Sequence, residues 1–131
     1  MNTKMIIGLC ASGAGFIAGL LYGKVDGILI CLLAMTSIDY ITGILKGIYD
    51  KKLSSEIGFK GICRKILIYI IVAVGHLLDV HIVGSGDSFR AAFIFYYVAN
   101  EGISIIENCA HMGLPVPEKL RNILDQVKNE N

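Results

Sequence analysis

From Met5 to Tyr22 the chain runs for eighteen residues without an Asp, Glu, Lys or Arg. In helical form that run is about 27 Å long, close to the ~30 Å hydrocarbon core of a bilayer. It is long for the apolar region of a secretory signal. The segment "IIGLC" also lacks the small residue before Cys10 that a lipoprotein signal needs. The sequence therefore predicts a retained membrane helix at Met5–Tyr22.

The rest of the chain has the same character. Hydrophobic residues make up 54% and charged residues 18%, against about 45–50% and 25% in soluble domains. Three further stretches approach a span in length: Gly27–Leu45, interrupted by Asp39; Ile62–Val83, with Arg64 and Lys65 at its start and Asp79 near its end; and Ser88–Cys109, interrupted by Glu101 and Glu107. The last is the least apolar, and an interfacial or re-entrant segment is its alternative reading. The expected fold is all-α: an integral membrane domain at 1–112 with about four transmembrane helices, followed by a cytoplasmic tail at 113–131.

Basic residues set the expected orientation. Lys46, Lys51, Lys52, Lys60, Arg64 and Lys65 lie in the loop between the second and third spans or at its edge. Lys4 precedes the first span, and Lys119, Arg121 and Lys128 follow the fourth. With four spans these ten share one face, leaving only Lys24 and Arg90 on the other. Both termini and the central loop should then be cytoplasmic. A three-span chain would split the cluster.

Local signals mark the ends. Ser54 or Ser55 can cap the third helix, with Glu56 in its first turn. Gly84 and Gly86 suit the third-to-fourth turn. Gly113 is a natural helix terminator, and Pro115 and Pro117 stop and restart helix. Leu120, Ile123, Leu124 and Val127 then repeat at i, i+3, i+4, i+7, the pattern of a short amphipathic helix that lies on the membrane or pairs with a partner. A weakly structured charged tail is the other reading.

Polar groups inside apolar runs are the candidates for function. A carboxylate in a bilayer costs several kcal/mol unless it is paired, neutralised or hydrated. Asp39 lies about 10 Å along the helix from Lys46, and Asp79 about 21 Å past Lys65. Lys46 and the polar stripe of the fourth span are candidate partners for Asp39, and His76 for Asp79. That stripe comprises Tyr97, Glu101, Ser104, Asn108 and His111 at spacings of four and three, with Arg90 seven residues earlier and Asn100 and Glu107 alongside. It either lines water once protomers assemble or supplies hydrogen bonds within one protomer. Ala11, Gly15, Gly19 and Gly23 repeat every four residues, and Gly43 and Gly47 repeat the idea in the second span. Such small-residue faces let helices approach closely, within a protomer or between protomers.

Nothing points to catalysis, a cofactor or a metal. Cys10, Cys31, Cys63 and Cys109 stand alone and read as small apolar residues. There is no H-E-x-x-H, G-x-S-x-G or P-loop, and "GSGDS" (84–88) has nothing after it to bind phosphate. The net charge of +1 gives no argument for nucleic acid.

"DYITGILKGIYDKKLSSEIGFKGICRK" (39–65), then Asp79, then "YYVANEGISIIENCAHMGLPVPEKL" (96–120) resembles the phage-lysis and toxin-secretion holin family, holin family 4. The resemblance rests on Asp39 and Gly43, the "SSEIGFKGICRK" block, the N-E-x-x-S-x-x-E-N stripe and "GLPVP" taken together. It implies a non-enzymatic, phage or prophage-type protein of the bacterial inner membrane that accumulates as a homo-oligomer among membrane lipid and abruptly forms lesions. It also implies functional coupling to a cell-wall hydrolase or a large toxin, and does not imply direct contact with either. A small cation-coupled transporter and a non-lytic antiholin-type subunit are the alternatives from other classes.

Overall fold

The computed structural model describes residues 2–129, with the side chains of Leu124, Val127 and Lys128 outside the description. Two of the four residues of the predicted amphipathic stripe, Leu124 and Val127, therefore lie outside the described side chains, as does Lys128. Glu130 and Asn131, the end of the predicted tail, are also outside the described residues.

Every regular element among the described residues is helical. The helices are α1 (Thr3–Tyr22), α2 (Gly27–Tyr49), α3 (Ser55–Leu78), α4 (Ser88–His111) and α5 (Glu118–Asn129). A π-helical turn, Asp79–Val83, prolongs α3. α3 begins seven residues before the predicted apolar boundary, because its first two turns are a polar extension. Glu56 and Lys60 pair there at 2.8 Å across one turn, both well exposed. The Ser54 hydroxyl accepts from the N–H of Ile57, as the capping signal predicts. α4 ends where expected: Gly113 has φ +93° and the N–H of Leu114 donates to the carbonyl of Cys109, closing the last turn.

Among the described residues, three helices are long and apolar enough to cross a membrane: Thr3–Tyr22, Gly27–Tyr49 and Ser55–Val83, with mean hydropathies of 1.9, 2.0 and 2.3. The sequence leads one to expect four. α4 has the length, at 24 residues, but its charged and amide side chains keep it out of this set.

α4 packs along α2 and also against α3, whereas α1 leans mainly on α3. The core is a small apolar cluster of Leu29, Leu32, Ile68, Val72 and Ile94, flanked by Tyr22, Tyr69, Phe93, Tyr97 and Val98. Large apolar side chains cover the outside, among them Phe16, Ile17, Ile66, Leu67, Phe95 and Tyr96. In water this would be one extended aggregation-prone surface; against lipid it is the expected one. Lipid tails are as apolar as leucine, so burial gives little drive for helix association. Close packing and hydrogen bonds must supply it, and the interior of the bundle is accordingly polar in two places.

Candidate functional site

The first polar place is at the end of the bundle where the short α1–α2 and α3–α4 links meet. Arg90, in the first turn of α4, is 1% exposed. Its Nε donates to the Tyr22 carbonyl at 2.8 Å. Nη1 and Nη2 form a fork on Asp26, at 2.8 and 3.0 Å. Nη1 also reaches Asp87 at 3.1 Å, and Nη2 the Lys24 carbonyl at 3.0 Å. A planar guanidinium suits such a bidentate cage. The hydrogen bond from Arg90 is the main reason the Asp26 carboxyl is held down at about 2, against the desolvating effect of burial. The Leu29 N–H and the positive charge of Arg90 act in the same direction.

Asp79 sits beside this cage, 1% exposed. Its two carboxylate oxygens accept from the backbone N–H groups of Phe89 at 3.0 Å and Arg90 at 2.9 Å. It therefore caps α4 from a distance in sequence, where unsatisfied N–H groups and the helix dipole favour a negative charge. Asp87 occupies the capping position but makes no side-chain cap. His76, the expected partner, is turned to Gly23 instead: a Cβ there would lie 2.7 Å from the imidazole Cε1.

The second polar place is toward the opposite end. Lys65 of α3 bridges Asp39 of α2 and Glu101 of α4, with all three side chains largely enclosed. Two carboxylates thus share one ammonium. Beyond them, the Asn108 amide donates to Thr42 at 3.0 Å and lies 3.4 Å from Asp39. His111 meets Asp50 at 2.8 Å. Toward the middle of the bundle, Thr36 and Tyr69 share a hydrogen bond of 2.7 Å. The predicted α4 stripe is therefore directed into the same chain: Arg90 onto the end of α1 and the α1–α2 link, Glu101 onto α3, Asn108 onto α2 and His111 onto Asp50 just past α2, with Tyr97 and Ser104 half-buried between them. Asn100 is half-buried at the edge and Glu107 is exposed. α4 is amphipathic in reverse, with Phe89, Phe95 and Tyr96 outside.

Several residues fall elsewhere than the spacing suggests. Lys65, grouped by sequence with the basic face, turns into the bundle and replaces Lys46 as the partner of Asp39. Arg64, Lys51, Lys52 and Lys60 are exposed and Lys46 is half-exposed. Gly47 has its own loop residue Leu53 as neighbour, and Gly43 faces Asn108. Gly8, Gly13, Gly15 and Gly19 meet nothing within 4 Å, and Ala11 is exposed on the same helix. The tightest helix approach is at a glycine not singled out in the sequence. A Cβ on Gly75 would lie 2.6 Å from Phe93 Cδ2 and 3.1 Å from the Arg90 backbone. Asp26, Asp50, Asp87, Thr36, Thr42 and Tyr69 were also unmarked. Of these only Asp26 carried a signal, as a helix-capping residue directly before an apolar run.

The arrangement is that of a helical membrane protein whose enclosed charged groups pair with one another. The chain belongs to the bacteriophage holin family, whose model matches residues 16–129. It is 33% identical over 111 residues to a probable holin of Bacillus phage phi105, covering 85% of this chain and 81% of that one. An uncharacterized Listeria innocua protein is 45% identical over 124 residues, 95% of this chain and 86% of the relative. A 14.9 kDa Clostridium perfringens protein, described by its position in the nagH 3′ region, is 43% identical over 110 residues, 84% and 83% of the two chains. No solved structure gives a significant match.

Proposed function

We propose that the chain is a lytic holin: it accumulates in the bacterial cytoplasmic membrane, oligomerises, and opens lesions that release a cell-wall hydrolase or a large toxin. Family membership and the phage relative named a probable holin support this reading. The observation that carries it is the reversed amphipathicity of α4. Its polar face is satisfied within one protomer by Asp26, Lys65, Thr42 and Asp50, and those bonds can be exchanged for water without leaving a charge in lipid.

In the same reading α4 is the fourth span. Its Arg90 and Glu101 charges face partners while Phe89, Phe95 and Tyr96 face outward, which supports a membrane position that hydropathy alone does not. Both termini and the lysine-rich loop are then cytoplasmic, in line with the ten-to-two distribution of basic residues. The α1 face bearing Ala11, Gly15 and Gly19 is open and serves as the contact between protomers.

The test is induction in bacteria with a co-expressed cell-wall hydrolase, following growth, dye uptake and hydrolase release. Abrupt permeabilisation after a delay is expected. Continued growth with an intact membrane at high expression overturns the reading, and saturable cation uptake without death would indicate a transporter.

A further inference from the structure

The basic end of the bundle contains a cavity of about 330 Å³ bounded by α2, α3 and α4. Its polar lining includes Asp39, Lys65, Ser104 and Asn108, its apolar wall includes Ile57, and Lys60 and Arg64 border it. Among the described residues, no carboxylate or carbonyl accepts from the Arg64 guanidinium, in contrast to the fully engaged Arg90. The Ser104 hydroxyl likewise has no hydrogen-bond partner among the described residues. Among the described residues Lys60 pairs with the exposed Glu56 alone, an interaction that contributes little and yields readily.

These groups ask for a ligand of mixed chemistry. A small free anion would find Lys60 and Arg64 at the border, but the cation further in, Lys65, is already held by the Asp39 and Glu101 carboxylates. A neutral lipid would leave the border cations without a counter-charge. A phosphodiester bearing a hydroxylated head satisfies both parts: the phosphate takes Arg64 and Lys60, hydroxyls donate to Asp39 and pair with Ser104, and acyl chains lie along the apolar wall. Basic pockets between transmembrane helices are established binding places for anionic headgroups. We propose that this cavity is a binding site for the headgroup of an anionic phospholipid with a hydroxylated head, of the phosphatidylglycerol type. Bound there, the lipid bridges α2 and α3 beside the Asp39–Lys65–Glu101 contact and stabilises the closed protomer. The inference requires only that the chain resides in a membrane, so it and the lytic reading fail separately.

The experiment is thermal unfolding of the full chain in detergent, followed by circular dichroism, with titrated phosphatidylglycerol, phosphatidylcholine of the same acyl chains, or inorganic phosphate. A saturable rise in melting temperature with phosphatidylglycerol alone is expected. Arg64→Gln with Lys60→Gln should weaken that response at least about tenfold in apparent affinity, and Lys51→Gln with Lys52→Gln should leave it intact. Gly43→Leu places a side chain at a lining position of the cavity and should abolish it; a Cβ on Gly43 is accommodated, with the Asn108 amide nitrogen at 3.9 Å. An equal response to phosphatidylcholine, the same rise with inorganic phosphate, or full retention in the Arg64/Lys60 variant would each overturn the assignment.

Discussion

Asp79 and Arg90 are joined through the backbone: the Asp79 carboxylate accepts the Arg90 N–H at 2.9 Å while the Arg90 side chain faces away toward Asp26. One residue at the end of α3 thus fixes where α4 begins. Asp79→Ala removes a buried cap and should lower stability by about 1–2 kcal/mol. Asp79→Asn keeps an acceptor and should cost less. Thermal unfolding in detergent, read by circular dichroism, ranks the two.

The fork between Arg90 and Asp26 has a defined pH response. The Asp26 carboxyl sits at about 2 in the folded chain, below its ordinary 3.8. Its contribution is therefore complete above about pH 4 and is lost as pH falls toward 2. Across that window the wild type should lose melting temperature faster than Asp26→Asn, and above pH 5 the gap between them should be constant. Parallel curves over the whole range would contradict this.

Lys65→Met leaves the Asp39 and Glu101 carboxylates enclosed without their cation. Breaking one partner of a buried ion group costs about 3–5 kcal/mol. Adding Asp39→Asn and Glu101→Gln to Lys65→Met should restore most of that loss, since the remaining groups are neutral. A triple variant no more stable than Lys65→Met would show that the charges are not the cause.

Glycines give a contrast between folding and assembly. Gly75→Ala drives a methyl group into Phe93 and the Arg90 backbone, and overpacking of this kind costs about 1–3 kcal/mol. Gly15→Leu meets nothing within the protomer, so its melting temperature should match the wild type in dilute detergent. A change in lysis timing with Gly15→Leu then reports on contacts between protomers. Unchanged timing would remove α1 as the assembly face.

The helical membrane character was legible because charge-free runs have few other uses, and the cap at Ser54 and the terminator at Gly113 followed from local chemistry. The α4 stripe was legible as a stripe, since heptad spacing places Glu101, Ser104 and Asn108 on one side of a helix. Its partners were not. Lys65 lies one residue after Arg64 in a basic segment, and only the angle between them about the helix axis sends one outward and the other inward. Nor does Gly75, within an unbroken apolar run, differ in sequence from a glycine facing lipid. Such pairings depend on helix rotation and inter-axial distance, which one-dimensional periodicity does not carry.

The reversed amphipathicity of α4 also bears on biogenesis. A segment whose enclosed charges, Arg90 and Glu101, find counterparts at Asp26 before α2 and Lys65 on α3 gains nothing by partitioning into lipid ahead of them. The link Gly84–Asp87 is short, and Asp79 already holds the first turn of α4. With α4 as the proposed fourth span, synthesis from the N-terminus places the receiving helices before the polar one, so that its membrane integration and completion of the tertiary fold would become a single event.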